Sequence, residues 1–427
     1  MSRLLVLMGS GETAPTMVKP HRAIFARVGD APALLLDTPY GFQCNADDIS
    51  ARAVTYFATS VGRQIDVLSW RQAPVDTLAR ERAAAAVRDA GWLFAGPGSP
   101  TYALRHWRDT AMPALLADKL TRAGVLVFAS AAALTLGSHA VPVYEIYKAG
   151  LDPHWVPGLD LLGPVLGFPA VVIPHYDNAE GGHHDTRFSY LGERRLEVME
   201  AWLPEGTRIL GVDEHTALVI DLDARTAAVL GNGGLTVRLA GRSTRYECGT
   251  ELDLADLAAE PGASVAAGAA AGPRRLPAGS GEAAPSARAG YAPPAPRAAA
   301  ISLRGAAVQH ESRFVAALAG RDVDGCVAAL LDLEQTIVDW SADTEESDGE
   351  YARSILRAMV VRLGELARVG ARDPRHLLDP FVSALLDVRQ QARAARDFAT
   401  SDRIRDRLAS AGVEVRDTPD GPAWQLS

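Results

Sequence analysis

Residues Val125–Gly137 read VLVFASAAALTLG. Val125, Leu126, Val127 and Phe128 form an uninterrupted apolar run, the pattern of a strand covered on both faces. Ala131–Leu134 favour helix. The stretch therefore predicts a buried strand that stops at a small residue, turns sharply at Ser130 and enters a helix. A serine at such a junction stands at the carboxyl edge of a sheet, beside backbone N–H groups that can meet developing negative charge. Ser130 is the candidate nucleophile. Alone, the same serine would read first as a helix N-cap, so the choice rests on what the remaining chain supplies.

Upstream, strands are expected at Leu4–Met8, Ala33–Asp37, Gln64–Trp70 and Trp92–Ala95. Helical spacing falls at Ala46–Phe57, at Asp76–Ala90, and from Leu104 to about Leu120. Strands alternating with helices at this spacing indicate an α/β fold with a doubly wound, mostly parallel sheet. Ligands of such sheets bind outside the carboxyl ends of the strands. Gly9–Glu12, Gly96–Pro100 and Ser130 all fall at such ends and are expected to share one crevice. Further on, Ala170–Pro174 is a strand leading into His175, and Arg187–Trp202 is helical. Arg208–Val212 runs up to Asp213-Glu214-His215, and Thr226–Leu239 resembles a closing hairpin.

Composition divides the chain into three parts. Residues 1–250 carry the α/β pattern. Residues 251–300 shift to Ala, Gly, Pro, Ser and Arg, too poor in large apolar side chains to offset ordering entropy, and are expected to be a disordered linker. Residues 301–427 return to helical periodicity and end in a β-hairpin around Asp417–Gly421, which makes a small α-helical domain. The 427 residues carry a formal net charge of -9, which argues against wholesale coating of nucleic acid. Cys44, Cys248 and Cys326 are isolated, so neither a disulfide framework nor a zinc site is indicated. His183-His184-Asp185 lacks further ligands at zinc-like spacing and reads as a polar loop. No metal and no cofactor are expected. Neither a signal-peptide pattern nor an apolar run of about 20 residues is present, so a cytoplasmic protein without membrane contact is the expectation.

A nucleophilic serine needs a base, a group that orients the base, and donors for the oxyanion. His175, in a polar loop after a buried strand, is the base. Glu214, also following a strand, orients it. The Ala131 amide is one oxyanion donor and Gly98 offers the other; Pro97 has no N–H. These residues resemble the serine peptidase family that includes cyanophycinase and aspartyl dipeptidase (peptidase E). Its G-x-S-A-G-A motif aligns with Phe128-Ala129-Ser130-Ala131-Ala132-Ala133. Its histidine aligns with His175, and its G-x-D-E-x-T-A segment with Gly211–Ala217. The resemblance implies a class I glutamine amidotransferase-like fold and a Ser130, His175, Glu214 triad. Phe128 and Ala132 replace the two glycines that flank the family's serine.

Asp379–Leu426 is similar to the C-terminal helical domain of cysteinyl-tRNA synthetases, through Ala384–Arg389, Ala392–Asp397, Ser401–Asp406, Leu408 and Gly412–Trp424. That resemblance implies a module associated with tRNA anticodon recognition. The synthetase's HIGH and KMSKS signatures and zinc cysteines are missing, so aminoacylation is not expected. Arg389, Arg393, Arg396, Arg403, Arg405 and Arg407 offer a face for phosphates. Interspersed Asp387, Asp397, Asp402 and Asp406 favour instead an exposed, salt-bridged helical surface. Two functions follow. The first is a serine hydrolase acting on a small peptide or amide substrate. The second is a silent scaffold whose residues 301–427 bind tRNA or a protein. A homo-oligomer is compatible with either.

Overall fold

Ser130 stands where β5 (Gly124–Ala129) runs directly into α6 (Ser130–Leu134). The computed structural model describes residues 2–74, 76–181, 184–261, 302–341, 343, 348–370, 374–418 and 421–426. In it β5 is buried along its whole length, as its continuous apolar run requires. Leu126 and Phe128 face one core layer, with Trp107, Met112, Leu116 and Leu136. Val125, Val127 and Ala129 face the other, with Tyr56, Phe57 and Phe94.

Two parallel neighbours hold β5. On one side is β1 (Arg3–Met8), with Leu5 opposite Leu126; on the other is β4 (Trp92–Ala95), with Leu93 opposite Leu126. Beyond β4 lie β2 (Ala33–Leu36) and β3 (Asp66–Leu68), also parallel. Beyond β1 lie β10 (Thr216–Asp221), β11 (Thr226–Gly231) and β14 (Glu251–Asp253), antiparallel. The order of this eight-stranded sheet is β14-β11-β10-β1-β5-β4-β2-β3. Helices α1 (Val18–Phe25), α2 (Ala46–Tyr56), α3 (Thr77–Asp89), α4 (Pro100–Trp107) and α5 (Met112–Thr121) connect the first strands.

A second sheet, β13-β12-β9-β8, is built from β8 (Ala170–Ile173), β9 (Arg208–Val212), β12 (Gly234–Leu239) and β13 (Arg242–Glu247). Between α6 and β8 come the short pair β6 (His139–Ala140) and β7 (Val156–Pro157), then α7 (Leu162–Leu166). Only the pairing of β8 with β9 is parallel here, and it brings their carboxyl ends side by side.

Several expected elements differ, each for a local reason. The helix expected to run from Leu104 to about Leu120 is two helices. Thr110 accepts from the Met112 amide, and Pro113, which has no N–H to continue the ladder, opens α5. Of Arg187–Trp202 only α8 (Glu193–Glu200) is helical, because Phe188, Ser189 and Tyr190 all have positive φ. β11 and β12 do not close a hairpin: the chain crosses between the two sheets at Asn232-Gly233, and each strand pairs elsewhere. The expected linker at 251–300 begins too early. β14 pairs with β11, and Leu252, Leu254 and Leu257 are buried as α9 (Leu254–Ala258) closes the domain. The rest of that linker, from 262 onward, lies outside the described residues, as do His183 and the hairpin turn at 419–420.

The chain divides into two compact units, residues 1–309 with 332–353, and residues 310–331 with 354–427. Its helices after residue 301 are α10 (Leu303–Ala319), α11 (Val323–Trp340), α12 (Gly349–Gly370), α13 (Pro374–Ala394) and α14 (Phe398–Ser410). The second unit ends in a hairpin of β15 (Val413–Thr418) and β16 (Gly421–Leu426). Val382 and Leu386 of α13 pack with Leu408 of α14 and Val413 of the hairpin. Gly412 makes the helix stop, at φ 79°. Arg389, almost fully buried, grips Asp417 with two bonds of 2.7 and 3.0 Å, and Arg393 adds a third at 2.9 Å. No helix among the described residues is long and apolar enough to cross a membrane.

His21 of α1 ties the first loop to the core. It is fully buried beside the rings of Tyr56, Phe57 and Phe94, and its Nε2 lies 2.8 Å from the Glu12 carbonyl oxygen. Burial pushes its pKa down to about 4, outweighing the Glu12 hydrogen bond, which raises it. The unfolded chain takes up this proton near pH ~6.5, so stability falls as the pH drops from there towards 4, by at most about 3 kcal/mol from this residue. His21→Gln keeps a donor for Glu12 and does not titrate. Denaturant midpoints at pH 7 and pH 5 are expected to drop further for the wild type than for His21→Gln; parallel drops would contradict the assignment.

Candidate active site

Ser130, His175 and Glu214 come from the carboxyl ends of three strands in two sheets: β5 in the large sheet, β8 and β9 in the small one. The structure brings them together. Ser130 Oγ lies 2.9 Å from His175 Nε2, and His175 Nδ1 lies 2.9 Å from Glu214 Oε1. The expected order of nucleophile, base and orienter is thus a continuous line of hydrogen bonds.

The serine is held in a conformation that few non-glycine residues adopt, at φ 47°. Such backbone persists only where its surroundings over-determine it. Here β5 is locked on both sides by the sheet, and the Ala132 amide bonds the Gly96 carbonyl across the turn at 3.2 Å. Ser130 serves as no N-cap: α6 starts on it, and the preceding Ala129 makes no side-chain bond. Phe128 and Ala132 do not prevent the turn. Phe128 occupies an ordinary strand position, and its ring enters the core beside Trp107 at 5.9 Å between centroids. Ala132 is fully buried with only a methyl group to place. The strain sits on Ser130 itself, between them.

His175 and Glu214 are pinned by their own loops. His175 has φ 48°, and the Ser189 hydroxyl donates to the neighbouring Pro174 carbonyl at 2.8 Å. Asn178 Nδ2 donates to Glu214 Oε1 at 2.9 Å, so this oxygen receives two donors. Asp177 bonds the Glu214 amide at 2.8 Å rather than the imidazole. Asp213 is fully buried, and its Oδ2 accepts from the Gly234 amide at 2.8 Å and from Arg245 at 2.5 Å. Burial pushes the Glu214 carboxyl up. The hydrogen bond and charge of His175, the Asn178 bond and the nearby His215 outweigh it, and the net position is below the usual carboxylate range. Glu214 is therefore ionised at neutral pH.

The triad opens into a cleft of about 1060 Å³ that Gly11, Gly98 and Ala131 also line, so the three predicted loops do share one crevice. The Ala131 amide belongs to the first helical turn, where no earlier carbonyl of the helix is available to it. Gly98 has φ 134°, and a Cβ there would lie 2.1 Å from the Pro39 carbonyl oxygen. Ser99, the next residue, donates its amide to that same oxygen at 2.8 Å, which fixes the loop. Arg187 pairs with Asp185 at 2.9 Å. Among the described residues no cluster of three His, Cys, Asp or Glu side chains could hold a metal ion.

Sequence reasoning gave Asn178 and His215 no role. Asn178 stands three residues after His175, and its polarity in a strand-to-loop exit was the available signal. His215 lines the cleft, and its Nδ1 lies 3.0 Å from the Thr16 hydroxyl. Burial lowers its pKa, with Glu214 opposing. The tight fit at Gly98 makes a prediction. Gly98→Val forces a β-branched residue into a glycine-only dihedral, costing about 1–3 kcal/mol before the Pro39 clash is counted. A lowered denaturant midpoint checks it; an unchanged midpoint would contradict the geometry.

Comparison with known proteins gives matches of sequence and of structure. Residues 375–424 match the family model "Cysteinyl-tRNA ligase anticodon binding domain". A cysteine–tRNA ligase of Micrococcus luteus is 38% identical over 112 residues, 26% of this chain and 19% of the relative. One of Nocardioides sp. is 55% identical over 51 residues, 12% of this chain and 11% of the relative. One of Moorella thermoacetica is 33% identical over 131 residues, 30% of this chain and 28% of the relative. The chain thus spans less than a third of the length of each of these relatives. Fifteen chains of solved structures match it, among them the following two. A peptidase from an acI-B1 Actinobacterium matches with a TM-score of 0.48 and 18% identity, covering 59% of this chain and 97% of that one. A putative peptidase E protein from Listeria monocytogenes matches with a TM-score of 0.38 and 12% identity, covering 54% and 99%.

Proposed function

We propose that the chain is a serine hydrolase acting on a small peptide-like or amide substrate. The observation that carries this reading is the line Ser130 Oγ, His175, Glu214, with both hydrogen bonds at 2.9 Å. Ser130 Oγ attacks the acyl carbon as its proton passes to His175 Nε2, and ionised Glu214 supports the imidazolium at Nδ1. The Ala131 and Gly98 amides receive the oxyanion. His175 then protonates the leaving nitrogen, and water, giving its proton to the same nitrogen of His175, releases the acid and restores the serine.

The left-handed backbone at Ser130 favours this reading over a silent scaffold, since a helix-starting serine without a catalytic task has no need of φ 47°. For residues 375–424, the match to an anticodon-binding domain supports tRNA as the partner. The missing synthetase signatures weigh against aminoacylation.

Turnover of a panel of dipeptides and amino-acid amides by the full chain tests the proposal. Ser130→Ala and His175→Ala are expected to abolish hydrolysis. Glu214→Gln favours the wrong imidazole tautomer and is expected to lower kcat by roughly 10³–10⁴-fold. Hydrolysis that survives Ser130→Ala would overturn the assignment.

A further inference from the structure

The cleft above Ser130 carries more than a triad. Tyr147 and Tyr190 form a tilted aromatic pair with centroids 4.7 Å apart, and Tyr190 lies 6.2 Å from the His175 ring. Tyr144, another cleft residue, leaves more than a third of its surface exposed and meets the half-exposed Phe42 edge-on. Lys148 Nζ sits 5.2 Å from the Tyr147 ring centroid. Half-buried Tyr147 and Tyr190 with the more exposed Tyr144, beside a cation, form a combination that can stack a nucleobase and tolerate a nearby phosphate. Glu180, which accepts from the Tyr190 hydroxyl at 2.9 Å, adds a carboxylate on the same wall, suited to an α-ammonium group. The volume, about 1060 Å³, lies just above the range of about 300–1,000 Å³ that small ligands fill, with room for an acyl group and a nucleoside together.

An independent observation lies at the other end of the chain, where residues 375–424 match a domain that binds the anticodon of a tRNA. An acyl-transfer triad and a tRNA-binding module on one polypeptide have one natural common substrate. We infer that the chain hydrolyses the 3′-terminal aminoacyl ester of a tRNA, with the terminal nucleobase stacked on the Tyr147–Tyr190 wall and the free α-ammonium group towards Glu180. The inference rests on the serine-hydrolase reading above and names its substrate class.

The reaction balances without any further reagent. Ser130 Oγ forms the new ester bond to the aminoacyl carbon, and its proton goes to His175 Nε2. The bond from that carbon to the ribose oxygen breaks, and the ribose oxygen takes the proton from His175. Water then attacks the acyl-serine, giving one proton to His175 that returns to Ser130 Oγ, and the products are the free amino acid and uncharged tRNA. An alkoxide is a better leaving group than an amide nitrogen, so the demand on His175 as an acid is smaller than for a peptide.

The test uses the full chain at low ionic strength with a tRNA of cysteine anticodon, charged with radiolabelled cysteine or serine. Loss of acid-precipitable label is followed beside turnover of amino-acid methyl esters and the dipeptide and amide panel. The expected result is deacylation at least ~10-fold faster than spontaneous hydrolysis, absent in Ser130→Ala. Stacking is worth roughly 1–3 kcal/mol per base, a factor of about 5 to 150. Tyr147→Ala should raise KM for the aminoacyl-tRNA within that range, and Tyr147→Phe should restore it. Turnover of dipeptides or amides without deacylation would overturn the inference, leave the hydrolase reading standing and assign the aromatic wall to peptide side chains. Equal kcat/KM for methyl ester and aminoacyl-tRNA would overturn the nucleic-acid part. No turnover of any substrate by well-folded protein would remove the hydrolase reading and this inference together.

Discussion

The site depends on one constraint: a serine held at φ 47° at the end of a strand that cannot move. Buried β5 is bonded by parallel β1 and β4 along its length, and the Ala132–Gly96 bond fixes the far side of the turn. The strained residue is carried by a rigid surround, which aims Oγ at a histidine arriving from a different sheet. His175 and Glu214 need the same precision. They inherit it from the parallel pairing of β8 with β9, which ends both strands beside one another.

Around that core the polar loops are fixed by buried groups. Asp213 anchors the Asp213–Thr216 turn through Gly234 and Arg245, and the Asp177 carboxylate holds the Glu214 amide. The hydroxyl of Ser189 secures Pro174, while Asn178 gives Glu214 a second donor. These contacts leave the carboxylate oxygen one orientation towards the imidazole. In the proposed hydrolysis the base must have its tautomer set, and these bonds are the means by which the fold would set it.

Much of this was legible in the sequence because it rests on local pattern. The apolar run at Val125–Phe128 and the alternating strands and helices gave the parallel sheet. Ser130, His175 and Glu214 were each readable from their place after a strand. What escaped was set by tertiary context. The division into two sheets turns on which neighbour β11 and β12 find, and no periodicity within Thr226–Leu239 encodes that. The positive dihedrals at Phe188–Tyr190 replaced an expected helix because the loop must pack back onto Pro174. The accommodation of Phe128 is likewise set by tertiary packing. A family comparison shows a missing glycine, whereas only the packing shows that its side chain enters the core next to Trp107.

The most direct measurement is reaction of the folded full-length chain with a fluorophosphonate, read by intact mass and by peptide mapping. The account predicts one adduct, on Ser130, formed quickly in the wild type and far more slowly in His175→Ala. Folded protein that acquires no adduct, or acquires it at another residue, would contradict it.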